Sequence, residues 1–162
     1  MSKVYHGSIE EVKNPEIREP SCSLDYGSGF YTTTSYEQAK RLVERRIKDK
    51  GLSVGYVNVY ELDDEAVKHM NSLFFEEPTE EWVNFVMRNR TERGFSHDYD
   101  IVYGPVADDS VYTQFTLYEG NIISMPTLIQ ELKTYRLVDQ YLFHTEKSLL
   151  AIKFIESKTI RL

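Results

Sequence analysis

The order of elements predicts an α+β fold made as a single domain over residues 1–162. Strand-like and helix-like segments alternate irregularly rather than as repeated strand–helix units, and the helical segments carry their own caps. A chain of 162 residues supplies one sizeable core but not two comfortable ones. Two small sheets flanked by helices suit this order best.

Val4 to His6 reads as a first strand and Phe30 to Thr33 as a second. Ser35 to Lys48 has a serine cap, Glu37 and Gln38 in its first turn, and Ala39, Leu42, Val43 and Ile47 at helical spacing. Val54 to Leu62 alternates apolar and polar residues, as a half-buried strand does, and Asp63 to Met70 follows as a short capped helix. In the helix Pro78 to Arg90, Thr79 is the cap, and Trp82, Phe85, Val86 and Asn89 share one face, with Trp82 read as core. Asp100 to Gly104 is an apolar strand ending at Gly104-Pro105, and Asp108-Asp109 opens a helix to about Leu117. Thr127 to Tyr135 is a further helix. Gln140 to His144 is a strand, Thr145 starts a short helix, and Phe154 to Arg161 is the last strand. No linker, repeat or low-complexity segment interrupts the series.

The net charge of −7 disfavours nonspecific nucleic-acid binding, which depends on neutralising phosphates with Lys and Arg. The single cysteine, Cys22, has no partner for an internal disulfide and fits a reducing compartment. Met1-Ser2-Lys3 runs straight into a strand with no signal peptide, and no apolar run approaches the roughly 20 residues of a membrane span. The expectation is a soluble, cytoplasmic protein with no membrane partner. Four histidines, His6, His69, His97 and His144, show no paired-ligand spacing, so no metal is expected. A phosphate-binding Gly-x-x-x-x-Gly-Lys loop is missing, and Gly27-x-Gly29 has no third glycine opening a helix, which sets aside kinase and dehydrogenase readings. Arg41, Arg45, Arg46, Lys48 and Lys50 form a local basic run, read as a solvated face, with an RNA, an acidic partner or a pyrophosphate as the functional alternative.

The segment Asp25-Tyr26-Gly27-Ser28-Gly29-Phe30-Tyr31-Thr32-Thr33-Thr34 is the most informative. Two close glycines let the backbone bend and approach a ligand, and the string after them presents Tyr31 on a short strand. With His6-Gly7 at the end of the first strand, this points to a nucleotide site. Asp25 has a second reading, as the acceptor of a backbone amide that holds the turn.

These residues, His6-Gly7 and then Gly27-x-Gly29-Phe30-Tyr31-x-Thr33 leading into Glu37-Gln38-Ala39, resemble the ADP-ribosyltransferase fold of the diphtheria-toxin and PARP type. More narrowly, the chain resembles a bacterial family known as a domain of unknown function. The shared blocks are His-Gly, Asp-aromatic-Gly-x-Gly-Phe-Tyr-x-Thr, Gly-Pro-Val-Ala-Asp-Asp and Gln-x-x-Phe-His-Thr-Glu-Lys, spread from Tyr5 to Phe154. The resemblance implies a split two-sheet core whose cleft takes NAD as co-substrate. It implies that His6 bonds a hydroxyl of the adenosine ribose, that Gly7 offers its backbone to the nicotinamide carboxamide, and that Tyr31 stacks on the nicotinamide. Gly29 and Thr33 complete the binding set.

Two departures from the toxin and PARP pattern stand out. A second ring-stacking aromatic is absent: Tyr36 comes too early, and Leu42 occupies the spacing. Gln140 stands where those enzymes carry a late glutamate; it can orient a ribose hydroxyl but supplies neither charge nor base. Asp108, Glu146 and His144 are the candidates for the missing function. As capping residues, Asp108 and Glu146 have an ordinary structural reading, whereas His144 shares a sheet face with Gln140. The implied activity is NAD-dependent mono-ADP-ribosyl transfer to a macromolecule, with catalytic roles for Gln140, Tyr31 and His6. A toxin or regulator of a toxin–antitoxin or defence type, held in check by an antitoxin-like protein, is the implied setting. The alternatives are a catalytically silent NAD or ADP-ribose binding module and an RNA 2′-phosphotransferase.

Overall fold

The computed structural model describes residues 2–18 and 24–162. Cys22 lies outside the described residues. The strands are β1 (Ser2–Ser8), β2 (Phe30–Thr33), β3 (Val54–Leu62), β4 (Ser72–Phe74), β5 (Ile101–Pro105), β6 (Asp139–Phe143) and β7 (Ile152–Arg161). The helices are α1 (Tyr36–Lys50), α2 (Asp64–Lys68), α3 (Glu80–Thr91), α4 (Asp109–Glu119) and α5 (Met125–Leu132), and a 3-10 turn covers Lys147–Ala151. The fold is α+β.

Most starts follow from local chemistry. Ser35, Asp63, Thr79, Asp108 and Ser124 each accept a backbone N–H of the first turn of their helix. Gly51, in the left-handed region, closes α1. The last helix starts at Met125 rather than Thr127, because Ser124 is its cap and Pro126 sits in its first turn. After Thr145 only the 3-10 turn forms, and β4 is a strand with no sequence-level signature.

Instead of two sheets, all seven strands join one mixed sheet in the order β4-β5-β6-β2-β1-β3-β7, with only β4 and β5 parallel. That sheet is nearly severed in its middle. β1 pairs with β3 along seven residues, yet it meets β2 at the single pair Tyr5↔Thr33. Hydrogen bonding is therefore continuous while the geometry is split.

Registers put Tyr5, Thr33, Gln140 and Gly104 on one face, with Tyr31, Leu142 and Val102 one step further along. Two helical groups cover this face. α1 buries Ala39, Val43 and Ile47 against Val57 and Ile160. The α3, α4 and α5 group buries Trp82, Val86, Val111, Phe115 and Leu128 against Val102 and Leu142. Trp82 is core, as read from the sequence, and has no exposed surface. On the opposite face Val4, Phe30, Tyr60, Leu62 and Phe143 pack under α2 and the 3-10 turn. No helix among the described residues is long and apolar enough to cross a membrane.

Candidate functional site

The split between β1 and β2 opens a cleft of about 240 Å³. It brings together His6, Gly7, Tyr31, Thr33 and Gln140 of the sequence-predicted set, with Leu42 and Arg46 of α1 also on its lining. A surface groove of about 730 Å³ along Thr79, Met125, Ile129 and Lys133 is larger but contains none of these residues.

The cleft exposes backbone as well as side chains. Thr34 N–H bonds to Asp139 O on the β6 side, so the polar groups of Thr33 face β1, where they pair with Tyr5. Backbone groups in an antiparallel strand alternate sides, so Gly7, two residues after Tyr5, turns its N–H and C=O into the same gap. No β2 residue is in register with it. The carbonyl of Tyr31, which would continue the ladder, is taken by His6 Nδ1 at 2.7 Å.

Because a carbonyl only accepts, His6 must carry its proton on Nδ1, leaving Nε2 as an acceptor. Burial, helped by the positive charges of Arg46 and Arg18, lowers its pKa from 6.5 to about 4 despite that hydrogen bond. The imidazole is neutral at physiological pH, and its ring lies 4.2 Å from that of Phe30. Gly7 also has a packing reason to be glycine. A Cβ there would stand 2.7 Å from Ala39 O and 2.9 Å from Val43 Cγ2, so the bare backbone lets α1 lie close on β1.

Tyr31 is anchored at its far end. Its hydroxyl donates to Gly27 O at 2.6 Å and accepts from Tyr26 N at 2.9 Å, and burial raises its pKa. The ring is a fixed apolar surface rather than an acid. Thr33 Oγ1 donates to Asp139 O and accepts from Ser35 N, both at 3.1 Å, shaping the corner from β2 into α1.

The turn before β2 is held by groups from distant elements. Asp25 is buried: its Oδ2 accepts from Ala107 N at 3.2 Å and Gln140 Nε2 at 3.3 Å. Its Oδ1 accepts from Arg90 Nη1 at 3.1 Å and from the Tyr112 hydroxyl. The amide-accepting role expected for Asp25 is present, but with an amide 82 residues away instead of a local one. Tyr26 is fully buried; its hydroxyl donates to Pro105 O and accepts from Trp82 Nε1, both at 2.8 Å. Gly29 does not line the cleft. At φ 146 it passes so close to β6 that a Cβ would lie 2.4 Å from Phe143 O.

Gln140 is buried beside Asp25. Its Nε2 donates to Asp25 Oδ2 and, at 3.5 Å, to Pro105 O. Two acceptors on one side fix which end of the amide faces them, so the nitrogen is committed there and Oε1 is the end left for the cleft.

The three groups offered as substitutes for a carboxylate stay away from the cleft. Asp108 caps α4 through Val111 N. Glu146 is exposed just before the 3-10 turn. His144 keeps the expected parity, but four residues along a strand is about 13 Å, beyond the reach of Gln140. There it donates from Nδ1 to Ser28 O at 2.6 Å and packs 4.1 Å from His97, which donates to Tyr26 O at 2.7 Å. Both imidazoles grip the turn. Among the described residues no carboxylate lines the cleft, and no cluster of three His, Cys, Asp or Glu could hold a metal.

Sequence reasoning missed Arg90, Tyr112 and His97. Arg90 also lies 4.2 Å over the Tyr112 ring. All three act across 65 to 87 residues of sequence, and nothing local in their segments marks them. Of the basic run, Arg46 alone reaches the cleft lining.

In comparison with known proteins, residues 2–154 match the model of one family, whose description is a protein of unknown function, DUF3990. No curated protein matches the chain.

Proposed function

The chain belongs to the DUF3990 family, and from the chemistry of its cleft we propose that it is an NAD-dependent mono-ADP-ribosyltransferase. The observation that carries this reading is the interrupted ladder. Gly7 turns its N–H and C=O into the gap beyond the one β1–β2 pair, between a neutral His6 and an anchored Tyr31. A carboxamide, one donor and one acceptor on a planar group, is the complement of those two groups.

In this reading Gly7 holds the nicotinamide carboxamide and Tyr31 stacks on its ring, a contact of about 0.5–1.5 kcal/mol beyond buried area. His6 accepts a ribose hydroxyl at Nε2. Gln140 accepts the 2′-hydroxyl of the nicotinamide ribose at Oε1 and orients the sugar while the glycosidic bond breaks. A volume of about 240 Å³ is below the roughly 300–1,000 Å³ of pockets that enclose a whole ligand, so the cleft suits the nicotinamide end alone. Arg46, on the cleft lining, is the cation this reading assigns to the diphosphate. With Leu42 where a second aromatic would stand, the ring is gripped on one face.

A second reading, a silent NAD or ADP-ribose binding module, draws support from a cleft lining without a carboxylate among the described residues. An RNA 2′-phosphotransferase is less well served, since the cleft offers one histidine and one arginine. The toxin or regulator setting, with an antitoxin-like partner, belongs to the transferase reading.

The deciding experiment incubates the purified protein with NAD labelled in its adenylate half and a bacterial lysate, beside Tyr31→Ala and Gln140→Ala. Nicotinamide release with label on a protease- or nuclease-sensitive product, lost in both variants, supports the transferase and reveals its acceptor class. NAD binding without nicotinamide release favours the silent module. Loss of a 2′-phosphate from RNA singles out the phosphotransferase. For the toxin setting, growth arrest on expression should be relieved by His6→Ala and Tyr31→Ala.

A further inference from the structure

We infer that Asp25 is the positioning residue of the site: it stands behind Gln140, fixes its amide with Oε1 toward the cleft, and strengthens that oxygen as an acceptor. The inference rests on the transferase reading of the cleft. Its basis is the contact between Gln140 Nε2 and a buried carboxylate at 3.3 Å, in a residue that also lines the cleft. A hydrogen bond from an amide N–H to an anion draws electron density toward the amide oxygen, and chained hydrogen bonds reinforce one another in a low-dielectric interior. Asp25 and Gln140 together thus perform the orienting part of what a glutamate on this strand would do.

The arrangement also explains why this strand carries glutamine. Gln140→Glu would set a second carboxylate against Asp25 Oδ2 at the 3.3 Å now spanned by a hydrogen bond. Two carboxylates so close cannot both ionise without a large cost. Asp25 cannot move aside, because Ala107, Arg90 and Tyr112 hold its remaining positions. Exchanging the two groups removes that repulsion and restores a donor–acceptor pair at this contact, but the new amide nitrogen on the turn then faces Ala107 N–H, so recovery is partial.

The test measures nicotinamide release for the wild type, Asp25→Asn, Gln140→Glu and the exchanged pair Asp25→Asn with Gln140→Glu. Asp25→Asn should lower kcat roughly ten- to hundredfold, as loss of an orienting partner does, while KM for NAD stays within about twofold. Gln140→Glu should lose activity, and the exchanged pair should recover about tenfold over it, a coupling expected only of groups in contact. Release by the wild type with kcat unchanged in Asp25→Asn, or no recovery in the exchanged pair, overturns the inference and leaves the transferase reading standing. No release by the wild type overturns both. Should Asp25→Asn fail to fold, the side-chain amide resonance of Gln140, assigned by its loss in Gln140→Ala, decides. Protection of its NH₂ from solvent exchange supports the inference, and free exchange overturns it.

Discussion

The two walls of the cleft are held by different means. β1 is laced to β3 along seven residues and pressed from one face by α1, which comes close because Gly7 and Gly55 have no side chains. β2 has four residues, paired along their length to β6 but at one position to β1, and a preceding turn suspended from His97, His144, Arg90, Tyr112 and Gln140. The first wall is held by backbone and packed volume, whereas the second adds to its β6 ladder a set of side-chain hydrogen bonds that seat its turn. The first should be sensitive to added atoms and the second to lost polar groups, except where its turn touches β6.

That exception gives the largest expected effect. Gly29→Ala drives a Cβ to 2.4 Å from a backbone oxygen at a φ that side chains rarely adopt. The loss should exceed about 4 kcal/mol, a size reserved for severe mechanisms, and should appear as a collapse of the denaturant midpoint. A near-native midpoint would show that the β2 wall yields, and the contrast would be broken.

Next comes pH. His6 falls from 6.5 to about 4 in the fold, so between those values the unfolded chain binds a proton that the folded one does not. Stability is therefore complete above about 6.5 and lost as pH falls toward 4, by up to about 3 kcal/mol at 1.4 kcal/mol per pH unit. Unfolding free energies measured across this window should flatten in His6→Gln. His97, whose pKa burial also lowers, contributes in the same direction on the opposite wall, so a matching series on His97→Gln apportions the effect between the walls.

On the β1 wall, Gly7→Ala should cost about 1–3 kcal/mol by overpacking and should weaken NAD binding measured by calorimetry, since α1 and the strand must separate. The smallest effect is expected for Tyr31→Phe, which keeps the stacking surface but removes the bonds to Gly27 O and Tyr26 N. A loss of about 1 kcal/mol with NAD affinity nearly unchanged would sharpen the comparison, because the same residue would then separate wall support from ligand contact.

The β1 side was legible in the sequence and the β2 side only partly. Val54–Leu62 was read to the residue because its alternation records a half-buried strand. Ser35 announced α1 through its cap. Ser72–Phe74 escaped notice because three residues paired only to β5 leave no period to count. His6, Gly7, Tyr31, Thr33 and Gln140 do meet at one cleft. Glycine spacing located the turn, but it assigned Gly29 to a ligand when the neighbour it must clear is β6. Asp25 was legible as an acceptor and illegible as a hub, because its partners lie 65 to 115 residues away and a sequence pattern reports only neighbours. His144 shows the same limit: parity gives the face, not the position along it.

Those separations also order events during synthesis. His6 and Tyr31 leave the ribosome early, but the turn that seats Tyr31 closes on Arg90, Ala107, Tyr112 and finally Gln140. Loops of such length close late, and chains begin folding from the N-terminus as they emerge. A nascent fragment carrying both residues would therefore lack the fastening that holds one of them in place. The cleft is thus complete only once almost the last strand has been made.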